Sequence, residues 1–390
     1  MKEFRIGIIG VDRNRRGGHA WRAHQPSNGV VVVAGADINP AALTDFKQEF
    51  GPHTFICTDY RELLKQDLDA VFVMTPDFLH EEQTVAALQA GKAVYLEKPL
   101  ALTIDGCDRI LNCAMQTKSK LFVGHNMRYF PSILKMKEII DAGIIGDIRV
   151  CWCRHFVDYG GIAYFLDWHS EQRYVNGLLL QKGAHDIDVI HWLMGTYTRS
   201  VVGMGMLSVY NQCKRRSPEA PKPEIIELDN PWPPNALDCY SPRIDVEDHN
   251  MILMQMENGA QACYLQCHFT PDAERNYTFI GTKGRIENIG DSGDCEIQVW
   301  TQRGCRNSPD IVYKLRGNKD NHGGSDLSII DSFLDFARYG KKPNISPVAA
   351  RNSVAVGVLG HQSMRNDGNR LAVPALSSKV IDYFAEGQRS

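Results

Sequence analysis

Two stretches of the sequence carry side chains that can move a proton. In "NGLLLQKGAHDIDVIHWLMG", Gln181, Lys182 and His185 lie where an apolar run meets an amphipathic stretch. In "YLEKPLAL", Glu97 and Lys98 follow directly after a short apolar run that predicts a buried strand. A histidine, or a lysine whose pKa is lowered by burial, can give or take the proton of a hydroxyl group. Both stretches are therefore candidate catalytic segments.

The histidine lies in a segment that the spacing predicts to be a helix. The segment stops at Gly195, a residue type that commonly ends helices, and Ile187, Ile190 and Met194 predict its buried stripe. His185 lies off that stripe. A hydrogen-bonded structural histidine is the alternative to a catalytic one, and for the lysine the alternative is a side chain that extends over the sheet end.

The first third of the chain alternates short apolar runs with amphipathic stretches. Strands are predicted in "FRIGIIG", "VVVVAGAD", "HTFIC", "DAVFVMTP", "KAVYLEKP" and "KLFVGHN", and helices over Pro40–Phe50, Asp77–Ala90 and Thr103–Thr117. Runs that are apolar on both faces and are separated by helices are typical of buried parallel strands. Residues 1–124 are therefore predicted to form a dinucleotide-binding Rossmann domain with a doubly wound parallel sheet.

The turn after the first predicted strand, "GIIGVDRNRRGGHA", partly matches the G-x-G-x-x-G pattern of dinucleotide-binding folds. Gly10 matches the first position, whereas Asp12 takes the second and the next glycines come late. Arg13, Arg15 and Arg16 are candidates to face a phosphate or are simply solvated. The alternative is a strand-to-helix turn that binds nothing.

A carboxylate closes the second predicted strand. Asp37 stands where a carboxylate can accept hydrogen bonds from the adenosine ribose hydroxyls, and it would repel the 2′-phosphate of NADP. It therefore predicts NAD rather than NADP as the cofactor. A helix cap for the following "DINPAAL" is the alternative role.

The character of the sequence changes from about Asp147. Strands are predicted in "IGDIRVCWCRHFV", "RSVVGMGMLSV", "HNMILMQMENG", "AQACYLQCHF", "NYTFIGTKGRIENI" and "CEIQVWTQR". They predict an α+β domain over residues 125–390 with a large open, mainly antiparallel sheet. Apolar residues on both faces of "MILMQM" predict a homodimer or homotetramer that pairs through this sheet.

A proline-rich segment interrupts this domain at about residues 211–246. The stretch from Ser217 to Pro242 contains seven prolines, so it cannot form a central strand. We expect an extended excursion over the surface, either a lid or an arm onto a neighbouring subunit.

The composition excludes several classes of protein. Of the 390 residues 43% are hydrophobic and 23% charged, which is typical of a globular protein, and the net charge of −3 argues against a nucleic-acid partner. The eleven cysteines include no CxxC pair, so we expect reduced thiols and no metal, with Cys151 and Cys153 as weak candidates. No apolar run approaches the about 18 residues of a membrane span, and the N-terminal run is too short for a signal peptide, so a cytoplasmic location is predicted.

Four motifs resemble one family. "EKP" at the end of the fifth predicted strand is similar to the signature of the glucose–fructose oxidoreductase, inositol dehydrogenase and rhizopine-catabolism (Gfo/Idh/MocA) family. "TPDFLH", "GHNMRYFPSILKMKEIIDAGIIGDI" and "GLLLQKGAHDIDVIHWLMG" agree with it in order and spacing, and "HGGSDLSIIDSFLDFARYGKKPNISPVAARNSVAV" resembles its closing helices. The resemblance covers most of the chain except roughly residues 211–246.

The resemblance implies roles for individual residues. It implies that Lys98 lies between cofactor and substrate and that His185 contacts the reacting hydroxyl. The remaining cofactor-binding candidates are Gly10, Asp12, Arg13, Asp37, Thr75, Pro76, His80, Glu97 and Asn126. Where many relatives have an aspartate four residues before the histidine, this chain has Gln181, and Lys182 follows it as in a subset of the family. This departure leaves the proton route open.

A second group of side chains is expected to bind the substrate. An aromatic-rich loop contains Tyr159, Tyr164, Trp168, His169, Arg173 and Tyr174, which can stack on a sugar ring and bind its hydroxyls. The alternative is an ordinary aromatic-rich loop that binds no ligand. The full set of substrate-binding candidates is Gln181, Lys182, Arg128, Tyr159, Trp168, His169, Arg173 and His322. For Arg128 the alternative is an ion pair with a carboxylate, and for His322 and Asp326 it is a turn and a helix cap.

Three functions remain open at this point. The leading one is an NAD-dependent dehydrogenase of a sugar, a sugar derivative or a cyclic polyol. The second is an NAD-dependent glycosidase, which oxidises a ring hydroxyl, eliminates the glycoside, adds water and reduces the ring again. The third is a cofactor-binding regulator without turnover, which needs neither the lysine nor the histidine.

Overall fold

The computed structural model describes residues 3–223, 231–291, 293–304, 308–317 and 324–388. The chain divides into two compact units. Unit 1 comprises Met1–Asn126, Gly324–Arg351 and Ala375–Ser390, and unit 2 comprises Met127–Gly323 and Asn352–Pro374. Each unit contains one sheet, and each is described by itself below.

The strands and helices of the described residues have the following bounds. The strands are β1 (Phe4–Ile9), β2 (Val30–Ala36), β3 (Phe55–Cys57), β4 (Ala70–Val73), β5 (Ala93–Leu96), β6 (Leu121–Val123), β7 (Ile148–Phe156), β8 (Thr198–Met206), β9 (His249–Met256), β10 (Gln261–Cys267), β11 (Glu274–Gly281), β12 (Arg285–Ile289), β13 (Cys295–Trp300), β14 (Ile311–Leu315) and β15 (Leu371–Ala372). The helices are α1 (Gly17–Ala20), α2 (Pro40–Phe50), α3 (Tyr60–Leu64), α4 (His80–Gln89), α5 (Ile104–Thr117), α6 (Pro131–Asp141), α7 (Gly160–Tyr164), α8 (Gln172–Val175), α9 (Leu178–Gln181), α10 (Gly183–Met194), α11 (Ser325–Tyr339), α12 (Pro347–Met364) and α13 (Ser378–Ala385).

Unit 1 contains the predicted Rossmann sheet. Its six strands lie in the order β3-β2-β1-β4-β5-β6, and every neighbouring pair is parallel. The order reverses between β1 and β4, and parallel sheets bind ligands at the carboxyl ends of the strands beside such a reversal. The glycine-bearing turn after β1, the "TPDFLH" turn after β4 and the "EKP" turn after β5 all lie at this end of the sheet.

Unit 1 also contains helices from the end of the chain. Phe333 of α11 packs edge-on against Phe72, Tyr95 and Phe122 of the sheet, with ring centroids 5.1 to 5.6 Å apart. After α13, the side chain of Gln388 exchanges two hydrogen bonds with the backbone of Leu121. The structure therefore differs from the predicted division into 1–124 and 125–390, because these late segments bury their apolar residues on the first sheet.

Unit 2 contains a nine-stranded sheet in the order β14-β13-β12-β11-β7-β10-β9-β8-β15. All neighbouring strands are antiparallel except β7 and β10, which confirms the predicted mainly antiparallel sheet. The sequence did not predict β14, whose residues are largely exposed, or β15, which has only two residues. The apolar run of β14 is only three residues long, from Ile311 to Tyr313, and β15 is too short to show one.

Helix α10 differs in one respect from its prediction. It ends at Gly195, whose φ of +63° is the left-handed conformation that glycine adopts readily, as expected. It is not amphipathic, however, because almost every residue from Gly183 to Met194 is buried. Its polar and charged residues are therefore buried, and their partners lie inside the protein.

The proline-rich segment is described except for residues 224–230. Tyr210, just before it, stacks on Phe165 of the aromatic-rich loop with centroids 4.0 Å apart, and Leu237 and Tyr240 of the segment join the same apolar cluster. Residues 217–223 are exposed or half-buried, so the expected excursion over the surface stays a prediction, with Leu237 and Tyr240 as points where the segment is anchored.

Candidate active site

The turn after β1 is shaped by two glycines. Gly10 has a φ of +85°, and a Cβ there would lie 3.0 Å from the carbonyl oxygen of Met74. A Cβ on Gly17, which begins α1, would collide with the backbone of Gly10. Gly17 therefore allows α1 to pack closely against the turn, a role that an earlier glycine has in the usual G-x-G-x-x-G pattern. The turn forms a closed glycine loop although the sequence matches that pattern only in part.

Asp37 connects the end of β2 to this loop. Its two carboxylate oxygens accept hydrogen bonds from the N–H groups of Val11 and Asn39, each 2.9 Å long. Asn39 is the N-cap of α2, because its side chain accepts from the N–H of Ala41. The capping role that was the alternative for Asp37 therefore belongs to Asn39. Each oxygen of Asp37 keeps a second lone pair, and the side chain of Ile38 beside it is 88% exposed. A carboxylate next to an exposed apolar side chain fits the ribose and adenine of a dinucleotide.

The charged residues of the glycine loop have protein partners. The Asp12 carboxylate accepts from the N–H of Asn14 and so closes its own turn. Arg13 lies over the ring of Trp21, 5.4 Å from its centroid. Arg16 forms a salt bridge with Glu97, and although burial alone would lower its pKa, Glu97 and Asp326 raise it overall.

Lys98 lies at the carboxyl end of β5, as predicted. It is only 8% exposed, and its backbone N–H donates to Glu97 at 3.1 Å. Glu97 is 4% exposed and thereby joins the lysine's backbone to Arg16 of the glycine loop. The role of Glu97 in cofactor binding stays a prediction, and the structure shows a buried carboxylate that fixes the two loops around the lysine.

His80 holds the turn after β4 to the turn after β5. Its ring nitrogens lie 2.9 Å from the carbonyl oxygen of Thr75 and 2.7 Å from that of Pro99, and its side chain is fully buried. The expectation that His80 forms the surface of a wall beside the nicotinamide is therefore wrong. It supports the backbone of Thr75 and Pro76 from the interior of the protein.

Asn126 and Asp326 meet at the first turn of α11. The amide of Asn126 donates to Asp326 at 2.9 Å, and the ring of His19 lies 3.0 Å from the second oxygen of the same carboxylate. Asp326 therefore joins α1 and the end of β6 and does not cap its own helix. His322, the other residue considered there, lies outside the described residues.

In unit 2, Lys182 and His185 share one helical turn. Lys182 has right-handed helical angles and joins α9 to α10, and the N–H of His185 donates to the carbonyl oxygen of Lys182 at 3.4 Å. Side chains three residues apart lie on the same face of a helix. His185 is 8% exposed and Gln181 is 6% exposed, so both side chains are largely buried.

The ammonium group of Lys182 donates to the hydroxyl of Tyr159 at 2.9 Å and lies 5.9 Å from the ring centroid of Tyr164. Burial opposes the charge of Lys182, but the two tyrosines raise its pKa overall. Burial would raise the pKa of Tyr159, but Lys182 and Arg275 lower it overall. Both shifts favour an ammonium group beside an ionised phenol, so the proton of the pair stays on Lys182 more than it would in an isolated lysine and tyrosine.

A buried polar cluster lies next to this pair. We call it the polar floor: His155, Asp186, Tyr264, Arg275 and Tyr277. Asp186 accepts from both tyrosine hydroxyls, with 2.8 Å for Tyr264, and lies 3.1 Å from the His155 ring and 3.0 Å from the Arg275 guanidinium. Despite burial, Arg275 and His155 hold the pKa of Asp186 well below its usual range. Burial and Arg275 lower the pKa of His155 to about 4.

The sequence analysis missed the polar floor. Its members come from β7, α10, β10 and β11, which are up to 122 residues apart in the chain and are neighbours only in the folded unit. The available signal was Asp186 and Asp188, two carboxylates in a helix with a predicted buried stripe.

Arg128 forms an ion pair with a carboxylate, which was the alternative to its predicted role in substrate binding. Its guanidinium donates twice to Asp188, at 2.7 and 2.6 Å, and both residues are buried. It also lies over the ring of Trp192, 5.1 Å from the centroid. This arrangement binds the segment before α6 to α10.

The aromatic-rich loop is held together by its own side chains. Trp168 and His169 stack at 3.7 Å, and the His169 ring lies 2.5 Å from the Asp167 carboxylate. Arg173 pairs with Glu171 at 2.8 Å and extends into solvent. The loop is therefore an organised surface, and its contacts with a sugar remain a prediction.

The residues that the structure describes contain neither a cluster of metal ligands nor a membrane-spanning helix. Among them, no group of three or more His, Cys, Asp or Glu side chains is placed to hold a metal ion, and the cysteines are free thiols. No helix in the described ranges combines the length and apolarity that crossing a membrane requires.

Comparison with known proteins identifies the family. Residues 4–125 match the Gfo/Idh/MocA oxidoreductase family model with an NAD-binding Rossmann fold, and residues 137–373 match its C-terminal alpha/beta domain. The chain belongs to the Gfo/Idh/MocA oxidoreductase family. This confirms the resemblance that the four motifs indicated, and the NAD-binding description agrees with the prediction from Asp37.

Individual members of the family resemble this chain over different spans. The inositol 2-dehydrogenase of Klebsiella pneumoniae subsp. pneumoniae is 34% identical over 200 residues, which are 51% of this chain and 56% of that enzyme. The chain thus spans little more than half the length of such relatives. The myo-inositol 2-dehydrogenase structure from Lactobacillus plantarum covers 96% of this chain and all of its own, with a TM-score of 0.72 and 21% identity. A levoglucosan dehydrogenase in complex with NADH and levoglucosan covers 96% of this chain and 100% of its own, with a TM-score of 0.76 and 18% identity.

Proposed function

We propose that the protein is an NAD-dependent oxidoreductase that transfers a hydride between nicotinamide and a secondary hydroxyl of a sugar, a sugar derivative or a cyclic polyol. The observation that carries this proposal is the buried Lys98 at the carboxyl end of β5, in the same sheet end as the glycine loop and Asp37. A lysine buried at that end is suited to proton transfer at a bound hydroxyl.

Lys98 and His185 share the acid–base work in this proposal. When bound, the nicotinamide supplies the hydride acceptor. Lys98 takes the proton of the substrate hydroxyl as the carbon is oxidised, and His185 orients that hydroxyl and shares its proton. Gln181 cannot exchange protons, so its role is to position hydroxyl groups by hydrogen bonds.

The cofactor is held by the carboxyl ends of β1, β2 and β4. Gly10, Asp12 and Arg13 form the loop for the pyrophosphate, and Asp37 accepts the ribose hydroxyls. Thr75 and Pro76 line the nicotinamide side, with Asn126 near the same sheet end. The glycine loop supports this assignment because only small residues allow a backbone to approach a pyrophosphate so closely.

The substrate class is supported by the relatives. Several of them are inositol dehydrogenases, and levoglucosan is bound in one similar structure. Both compounds are cyclic and carry several hydroxyl groups. The hydrogen-bonding side chains Gln181, Lys182, Tyr159 and His169 suit such a substrate, with Trp168 as an apolar surface for its ring.

Reduction of NAD tests this function. The protein is incubated with NAD and a panel of inositols, anhydrosugars and free sugars, and the formation of NADH is followed. We expect turnover with at least one of them and a fall in kcat of about a hundredfold in His185→Asn, because general acid–base groups contribute about that much. His53→Asn, which changes an exposed histidine of unit 1, is the matched control. Absence of NADH with every compound, while NAD binds, would contradict the proposal.

We also propose that the protein pairs through the outer face of the unit 2 sheet. That face exposes large apolar residues in adjacent strands, including Met204 at 71%, Leu253 at 63% and Met251 at 55%. An apolar patch of this kind is unfavourable in water and favours a homo-oligomer. We expect a dimer or tetramer in sedimentation. The double substitution Met251→Lys with Leu253→Lys should dissociate it, whereas Leu134→Lys, at an exposed position of α6, should not. A monomeric wild type would exclude this interface.

A further inference from the structure

The hydroxyl of Tyr159 is held in a defined place at the start of α7. Its backbone follows Val157, whose N–H donates to the carbonyl oxygen of Cys267 at 2.9 Å, and Gly160 packs so closely on the backbone of His268 that no Cβ fits there. The phenol then meets the ammonium group of Lys182 at 2.9 Å. Both ends of this contact are therefore fixed by secondary structure.

Tyr159 differs from the second tyrosine beside the same lysine. Tyr159 is 36% exposed, whereas Tyr164 is 8% exposed and packs edge-on against the ring of His268 with centroids 5.2 Å apart. Burial raises the pKa of Tyr164, although Lys182 opposes this. One tyrosine is thus a buried wall of the lysine site, and the other reaches the surface that a ligand can approach.

The charges around the Tyr159 hydroxyl are mainly positive. Lys182 approaches from α10 and Arg275 from β11, while Asp291 is the carboxylate that opposes them. The Arg275 guanidinium lies 3.0 Å from Asp186 and 3.2 Å from Asp291, so these carboxylates offset its charge. Lys182 is the cation that donates directly to the phenol. A phenolate is stabilised where a lysine donates to it in a partly desolvated place.

Lys182 also links the phenol to the predicted catalytic histidine. Lys182 and His185 are three residues apart in continuous helical backbone, so their side chains lie on the same face of that turn. His185 is 8% exposed, so the proton that leaves a substrate hydroxyl there has to reach water through a more exposed group. Tyr159, at 36%, is such a group.

We infer that Tyr159 is a further catalytic residue of the proposed hydride transfer, which exchanges a proton with the substrate oxygen beside His185 and is held for this by Lys182 as a positioning residue. The inference rests on the proposed function. In the oxidative direction, the C–H electron pair leaves as hydride and the O–H pair becomes the second carbon–oxygen bond. The proton, shared with Lys98 and His185, passes to the phenolate oxygen and from there to water. In the reductive direction the phenol returns it.

The test begins without cofactor or substrate. Ionisation of tyrosine changes its ultraviolet absorbance, so a pH titration of the protein counts tyrosines that ionise below the usual pKa of about 10. We expect one such tyrosine in the wild type, its loss in Tyr159→Phe, a shift to higher pH in Lys182→Met and recovery in Lys182→Arg. Tyr60→Phe is the matched control, because the pKa of Tyr60 is raised to about 12 by burial and Glu82. An early titration that survives in Tyr159→Phe would overturn the inference.

Turnover then tests the catalytic role. We expect Tyr159→Phe to lower kcat about a hundredfold with a smaller effect on KM, and to remove one limb of the pH profile of kcat. Lys182→Met should move that limb and Lys182→Arg should restore it, which a purely structural role does not predict. Wild-type kcat and pH profile in Tyr159→Phe would refute this inference while NADH formation still supports the proposed function. Absence of all turnover in the wild type would refute both.

Discussion

The carboxyl end of the unit 1 sheet and the polar floor of unit 2 are both rich in charged side chains, but they are built differently. At the sheet end, Asp37 follows β2 and Lys98 follows β5 of one parallel sheet. The Asp37 carboxylate accepts from backbone N–H groups, and the backbone N–H of Lys98 donates to Glu97. In the polar floor, Asp186, His155 and Arg275 bind one another through side chains, with almost no exposure to solvent. The first arrangement presents charge to a ligand, whereas the second neutralises charge inside the protein.

The difference predicts opposite consequences of mutation. At the sheet end, we expect the removal of a charge to remove a function. Removing a charge from the polar floor leaves a buried partner without compensation, which destabilises the fold. The variants below separate these two outcomes.

The largest effect is expected for Lys98→Ala. We expect kcat to fall about a thousandfold, because the main proton acceptor is lost, while the affinity for NAD and the melting temperature change little. Kinetics, NAD titration and thermal unfolding measure the three quantities. Lys92→Ala is the matched control: Lys92 precedes the same strand β5 at its opposite end, where its ammonium group donates to two backbone carbonyls. Near wild-type turnover in Lys98→Ala would remove the lysine from the mechanism.

A large loss of stability is expected for Arg275→Met. The substitution leaves the Asp186 carboxylate buried without its guanidinium, which costs about 3 kcal/mol or more of the free energy of unfolding. Denaturant unfolding of Arg275→Met and of the control Arg154→Met measures it. Arg154 pairs with Glu274 at 3.1 Å on the surface of β7, and surface pairs contribute about 1 kcal/mol or less. Equal stability of the two variants would show that the polar floor is not the stabilising cluster described here.

A smaller and more selective effect is expected for Asp37→Asn. The amide keeps one acceptor oxygen but loses the negative charge, so we expect the KM for NAD to rise about tenfold and the discrimination against NADP to fall by a similar factor. Steady-state kinetics with both cofactors measure the ratio. Asp45→Asn, on the exposed face of α2, should leave it unchanged. An unaltered preference for NAD in Asp37→Asn would place the selection of the cofactor elsewhere.

The parts of the fold that the sequence predicted are those with local signals. Five of the six strands of unit 1 are largely buried on both faces, β3 being half-buried, so they form apolar runs in the sequence. Helix α2 has the predicted bounds because Pro40 begins it. The return of α11 to unit 1 had no such signal, since Phe333 meets its partners only across more than two hundred residues of sequence.

The candidate site shows the same limit. Lys98, Asp37 and His185 could be singled out because each stands at the end of a strand or the start of a helix. The salt bridge of Arg16 with Glu97 and the contacts of Asp186 could not, because side-chain pairing depends on how distant segments pack. Arg16, a candidate either to face a phosphate or to be solvated, thus pairs with a buried carboxylate that the sequence did not indicate.

The central claim, net hydride transfer to NAD, is tested most directly with a substrate that carries deuterium on the carbon to be oxidised. The account predicts that the label appears on the nicotinamide and that one NADH forms for each molecule of ketone produced. Formation of product, such as a sugar released from a glycoside, without any net NADH would contradict it.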